Sequence, residues 1–208
     1  MKKIFVIILL ICSNLPAKEI FDCRQLTQKV ESKFSVPKKL LNSISLTESG
    51  RTQNGILRSW PWTLNVNGEP YYFESKNKMM IFLRSKISQG ISNIDIGCMQ
   101  INYKYHFQNF KNLEEMADPF INVKYAASFL AKLFDRHKSW NKAISFYHSS
   151  NPKRMKNYLN KVLMFWNKER QRKFVIKKLN LEDIKSDLNI EKKIKFFKNQ
   201  FKNEKKYM

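Results

Sequence analysis

Cysteine and histidine are scarce in this chain, at three residues each among 208. His106, His137 and His148 stand far apart, so neither a metal centre nor a Cys–His nucleophile is expected, and no cofactor is implied. Long apolar runs are also missing. The one at the N-terminus, Ile4 to Ile11, covers eight residues and is too short to span a bilayer in the usual way. Acidic residues are few, 17 against 39 Lys and Arg, which leaves a formal net charge of +22. No internal repeat is visible, so the length points to one domain with a proper core, followed by a tail.

The N-terminal run has the flanks of an export signal. Met1-Lys2-Lys3 supplies a basic start, and Ser13-Asn14-Leu15-Pro16-Ala17 a small-residue exit. Leu9-Leu10-Ile11 lacks the small residue expected before a lipidated cysteine, which argues against an anchor at Cys12. Residues 1–17 are therefore expected to be a leader, 18–166 the folded domain and 167–208 a Lys-rich tail, helical or disordered. Export puts Cys23 and Cys98 where disulfides form, and an even count favours a bridge; the alternative for Cys98 is a buried thiol.

The positive charge is not confined to one stripe. Residues 167–208 hold fourteen Lys or Arg against six Asp or Glu, so they contribute +8 of the total. With an export signal and no recognised base-reading motif, nucleic acid is not an expected partner. The acidic surfaces outside the cytoplasm are wall peptides and anionic lipid headgroups, and a basic protein is enriched near both. Amphipathic spacing in the tail (Leu181, Ile184, Leu188, Ile194, Phe197, Phe201) fits a helix against the domain, a partner helix or a membrane-surface element.

Along the domain, Leu26, Val30 and Phe34 give a first amphipathic helix over 24–34, and Pro37 is placed to open a second that ends at Gly50. Trp62, Leu64 and Val66, then Asn67-Gly68, then Tyr71 to Phe73 read as a β-hairpin. Helical spacing returns over 76–89 with Gly90 as a stop. Asp118-Pro119 opens the longest core helix, Ser139 caps a shorter one and Pro152 opens another. The class is mainly α with a small inserted hairpin.

Two short segments carry the chemistry. Glu48, in Leu46-Thr47-Glu48-Ser49-Gly50, ends an apolar helical run, where desolvation and the helix dipole both favour a protonated carboxyl, a general acid. Downstream come Asp95-Ile96-Gly97-Cys98-Met99-Gln100-Ile101-Asn102 and Ala143-Ile144-Ser145-Phe146-Tyr147-His148. Asp95 reads as a brace for the loop entering Gly97 more readily than as a second catalytic carboxylate. Glu-Ser, Gly-x-Met-Gln-Ile-Asn and the late Ala-x-x-x-Tyr together resemble the soluble lytic transglycosylase (SLT) family of goose-type-lysozyme-like muramidases, over about residues 23 to 166. Within it the chain resembles a subgroup with a Gly-Cys-Met-Gln signature, with Trp60-Pro61-Trp62-Thr63-Leu64-Asn65 and Tyr147-His148-Ser149 as further marks. Cys98 replaces the usual Leu, and His148 stands where many members carry Asn.

The resemblance implies a lysozyme-like fold and an enzyme acting on peptidoglycan, and the leader implies that it is periplasmic or exported. Glu48 would protonate the oxygen joining N-acetylmuramic acid to N-acetylglucosamine, the substrate's 2-acetamido group would stabilise C1, and Glu48 would then deprotonate the C6 hydroxyl to give a 1,6-anhydro end. Ser49 would position the substrate or Glu48, Met99 would wall an apolar subsite, and Gln100 would hydrogen-bond N-acetyl or peptide groups. Tyr147 would aim its hydroxyl at Glu48 or the sugar, and Trp60 and Trp62 would either stack on glycan or pack on their own domain. Two alternatives stay open: a hydrolase of the same fold, and a non-catalytic glycan-binding scaffold for a wall-spanning secretion or motility apparatus.

Overall fold

A computed structural model describes residues 23–187, with side chains described through Arg172. The expected leader and residues 188–208 of the tail lie outside the described residues. Eight α-helices and six short strands follow one another among them. In chain order these are α1 (Cys23–Glu31), α2 (Leu40–Ser49), β1 (Gly50–Gln53), β2 (Ile56–Ser59), β3 (Thr63–Val66), β4 (Glu69–Tyr72) and α3 (Lys76–Ser88). They continue with β5 (Ile94–Ile96), β6 (Ile101–Asn102), α4 (Tyr103–His106), α5 (Leu113–Met116), α6 (Pro119–His137), α7 (Trp140–His148) and α8 (Pro152–Asp187).

Helix α2 packs against α1 and α8, and α6 and α7, packed on each other, join the bundle through α1 and α8 respectively. Leu40, Leu41 and Ile44 are fully buried, and so are Ser43, Ser45 and Ser49. Hydroxyls tolerate this position because a helix offers them carbonyls one turn back: Ser43 Oγ donates to Lys39 O at 2.6 Å and Thr47 Oγ1 to Ser43 O at 2.9 Å. The helix starts at Leu40, three residues later than Pro37 suggested, because Lys39 turns into the left-handed region at φ 69°. Its free N–H groups are met from another helix. The buried Glu31 of α1 accepts from Lys39 N at 2.7 Å and Leu41 N at 2.8 Å, a carboxylate at the positive end of a helix dipole. Burial raises the Glu31 pKa, while the N–H bonds from Lys39, Leu41 and Asn42, the last at 3.4 Å, and the Lys39 charge oppose that rise.

The hairpin β3–β4 forms as the sequence suggested, with Val66 paired to Glu69 and both turn residues at positive φ (Asn67 54°, Gly68 99°). It belongs to a larger sheet than expected. Strand order is β4-β3-β5-β6, all antiparallel, and a separate hairpin β1–β2 precedes it around Asn54-Gly55. Gly50 ends α2 at φ −62°, so it is not the left-handed cap a Ser-Gly helix end suggests. Glycine is needed there for a different reason: a Cβ would meet Leu46 O at 2.2 Å.

Asp118, Ser139 and Ser75 cap α6, α7 and α3 by accepting from Ile121 N, Lys142 N and Lys78 N. Helix α8 passes without interruption through the expected domain boundary at residue 166. Trp166 Nε1 donates to Lys38 O at 3.0 Å and Arg24 pairs with Glu169 at 3.2 Å, so packing onto the domain extends at least to Glu169. None of the described helices is long and apolar enough to cross a membrane.

Candidate active site

The larger sheet presents one polar row to a cleft. Asp95 on β5 faces Asn65 across β3 and Asn102 across β6, so the three lie side by side on one face. The alternating residues Leu64, Val66, Ile94, Ile96 and Ile101 are buried on the other face. The cleft above this row holds about 740 Å³. Its walls include Glu48, Gln100, His106, Phe129, Tyr147 and His148.

Glu48 enters from the last turn of α2. As a residue it is half-buried, but its carboxyl is desolvated enough to push the pKa up to about 8. Burial is the largest cause. The Asp95 charge raises it further, while a hydrogen bond from Tyr158 and the charge of Lys161 oppose the rise. The Tyr158 hydroxyl donates to Glu48 Oε1 at 2.5 Å, and the Tyr158 ring stacks on His148 with centroids 4.4 Å apart. Burial holds the Tyr158 and Tyr147 hydroxyls protonated, well above the usual phenol range. The site thus has an acid that keeps its proton at neutral pH and a fixed donor that orients it.

The signature turn, residues 97–100, is held by side chains from four other segments. Ser45 Oγ and Ser49 Oγ donate to Cys98 O at 3.0 and 2.8 Å. Met99 N donates to Asn122 Oδ1 at 3.0 Å, and Asn122 Nδ2 donates to Ile96 O at 2.9 Å. Tyr147 OH donates to Met99 O at 2.9 Å. A disulfide joins Cys98 to Cys23 at the start of α1, with Cα atoms 5.9 Å apart.

These bonds change several expected roles. Ser49 is fully buried and its hydroxyl is turned to Cys98 O and Ser45 O, so it ties the Glu48 helix to the signature turn and is not among the residues that line the cleft. The Met99 side chain is fully buried in the core and forms no cleft wall. The Tyr147 hydroxyl goes to Met99 O; its ring lines the cleft, close enough for the Glu48 charge to act on it, and it is Tyr158 that hydrogen-bonds the acid. Gln100 lines the cleft with its amide NH₂ bound to Gly97 O and Thr63 O at 2.9 and 3.2 Å, which leaves Oε1 as the atom available to a ligand. Trp60 and Trp62 are not among the cleft residues; Trp60 Nε1 donates to Phe73 O and Trp62 packs on the core.

Asp95 keeps the bracing role its position suggested, accepting from Asn102 Nδ2 at 2.8 Å, yet it also stands in the cleft with its pKa raised by burial. Tyr158 is the residue that sequence reasoning missed. It reads as one more apolar position of α8, and nothing local marks a tyrosine 110 residues from its partner. Asn65 was legible in part, since it lies in the Trp-Pro-Trp-Thr-Leu-Asn segment, but only strand register shows it beside Asp95.

A family model described as the transglycosylase SLT domain matches residues 25–163. The chain belongs to this family. The matched range runs from α1 into α8 and contains Glu48, the signature turn, Tyr147 and Tyr158, and the domain is mainly α and lysozyme-like. No curated protein and no solved structure gives a significant match. The Gly-Cys-Met-Gln subgroup therefore rests on the sequence signature alone.

Proposed function

We propose that this SLT-family domain is an exported lytic transglycosylase that cleaves the glycan strands of peptidoglycan, with Glu48 serving first as acid and then as base. The observation that carries the reading is the desolvated Glu48 carboxyl, pushed up to about 8 and fixed by Tyr158 in a cleft floored by Asn65, Asp95 and Asn102. At neutral pH such a group is mostly protonated. It donates to the glycosidic oxygen as the C1–O bond breaks, and the departing N-acetylglucosamine keeps that proton on its O4. The carboxylate left behind takes the proton of the muramic acid C6 hydroxyl while that oxygen bonds to C1. The product is a 1,6-anhydro ring, and no water is consumed. The floor amides and Gln100 Oε1 supply polar partners for the substrate's N-acetyl groups, with Phe129 and Tyr147 as aromatic walls.

Hydrolysis is the second reading, and the Asp95 carboxyl in the same cleft favours it, since hydrolytic glycosidases commonly use two carboxylates. Incubation of the mature protein with isolated sacculi, followed by mass analysis of the released muropeptides, separates the two. Anhydro ends support transglycosylation and reducing ends support hydrolysis. Glu48→Gln is expected to remove essentially all turnover. A variant that keeps more than a few percent of activity refutes the assignment of the acid, and wild-type protein that binds sacculi without releasing fragments points to a scaffold.

A further inference from the structure

A second recess, about 300 Å³, shares Glu48, His148 and Arg154 with the main cleft and is otherwise lined by Thr47, Asn157, Tyr158 and Lys161. Arg154, Asn157, Tyr158 and Lys161 follow at three- and four-residue spacing, so α8 presents them on one face. Glu48 is the sole acidic residue in the lining, and neither Arg154 nor Lys161 takes part in an ion pair among the described residues. The field there is positive enough to be felt by a neighbour. Both cations act together with burial to lower the His148 pKa, and Lys161 also favours the charged form of Glu48. The sheet floor beside it has the opposite character, with Asp95 among amides.

A neutral sugar backbone offers two cations hydroxyl and N-acetyl oxygens but no counter-charge. Taking the cleft as a peptidoglycan site, as proposed above, the chemistry that fits is a carboxylate hanging from the muramic acid lactyl arm next to the bond that breaks. We propose that Arg154 and Lys161, with Asn157 between them, form a subsite for that carboxylate, so that the enzyme reads the charge of the substituent as well as the sugars. Two sources share this chemistry: the peptide carried by the arm, and the arm's own carboxylate where the peptide has been removed.

The test compares soluble strands in four forms: peptide-bearing with free carboxylates, the same with carboxylates converted to amides, and peptide-free strands with the lactyl carboxylate free or amidated. For wild type, amidation is expected to raise KM about fivefold in one pair, the size appropriate to two partly screened charge-assisted contacts. The pair that responds identifies the source. In R154Q/K161Q the KM ratio between free and amidated strands is expected to fall to about one. The ratio is the proper readout because any change in the Glu48 titration caused by losing Lys161 divides out of it. R154K/K161R, which keeps both charges, is expected to restore most of the discrimination, and melting curves check that each variant is folded. Equal KM for free and amidated strands in wild type overturns the subsite, as does full discrimination surviving in the double variant; anhydro products continue to appear in either case. Absence of anhydro products from every strand sinks the transglycosylase reading itself.

Discussion

Tyr158→Phe isolates the contact that sets the acid. The substitution keeps the ring that stacks on His148 and removes only the hydroxyl that donates to Glu48 Oε1. A hydrogen bond to a charged group is worth about 1.5–3 kcal/mol. It favours the carboxylate here, so its loss makes ionisation harder by that amount, and at about 1.4 kcal/mol per unit the Glu48 pKa rises by about one to two units above its starting value near 8. If Glu48 is the general acid, as proposed, it donates only when protonated, so the alkaline limb of kcat/KM, which reports the free enzyme, moves to higher pH. Turnover at neutral pH drops by about tenfold in parallel, because a carboxyl free to rotate is less often aimed at the glycosidic oxygen. The assay is the initial rate of anhydro-muropeptide release across the pH range. Asp95→Asn serves as the opposite control: it deletes a neighbouring negative charge that raises the Glu48 pKa, so its limb moves to lower pH. A Tyr158→Phe limb that stays in place or shifts towards acid, or an Asp95→Asn limb that shifts towards alkali, refutes the electrostatic account.

Three further outcomes are expected. Glu48→Gln mimics the neutral acid, and wild type binds more protons folded than unfolded between the ordinary carboxyl value of 4.5 and about 8, so wild-type stability falls as pH rises through that window. The variant and wild type should therefore melt together below pH 4.5 and separate by several kcal/mol above pH 8; a gap independent of pH contradicts the raised pKa. The Cys23–Cys98 bridge closes a loop with a sequence separation of 75 residues, and a chain-entropy estimate gives about 4 kcal/mol, or roughly 10 °C in melting temperature, lost on reduction. Melts with and without reductant check it, and an unchanged transition counts against the bridge. Gly97→Ala places a Cβ at φ 81° and 3.0 Å from the Asn122 side chain, and should cost about 2 kcal/mol or more with loss of most activity, measured by denaturant unfolding and muropeptide release.

Features set by neighbours in sequence were readable from the chain. Asn67-Gly68 specified a two-residue turn, Asp118-Pro119 and Ser139 specified helix starts, and the apolar run before Glu48 specified a buried helix end. Asn54-Gly55 carried the same turn signal for β1–β2, but its strands show no apolar alternation, since Arg51, Thr52 and Gln53 are not core residues. What the sequence hid was set by partners far along the chain. Glu31 looks like an ordinary surface carboxylate of an amphipathic helix until α2 brings its N-terminus against it. Tyr158 looks like core because sequence spacing reports which face of an element is apolar and cannot say which side-chain atom lies beside a cleft, and the wall role that the family resemblance implied for Met99 fails because its side chain is fully buried.

The signature turn shows how buried side chains outside the cleft hold a cleft residue in place. Gln100 holds φ 45°, a conformation that costs a non-glycine residue of order 1 kcal/mol and persists only where the surroundings over-determine it. Here Ser45 and Ser49 fix Cys98 O, Asn122 fixes Met99 N, Tyr147 fixes Met99 O, and the disulfide ties Cys98 to α1. Two of these braces, Ser45 and Ser49, sit on the same helix as Glu48, so the turn that positions Gln100 and the helix that positions the acid move as one body. Tyr147 and Tyr158 then bring α7 and α8 to that body through one hydroxyl each, the first to the turn and the second to the acid. Loss of Ser49 should consequently weaken activity without weakening contact with any sugar, whereas loss of Tyr158 should shift the titration of Glu48. The two defects are separable by pH profile, which distinguishes a brace from a residue that tunes the proton.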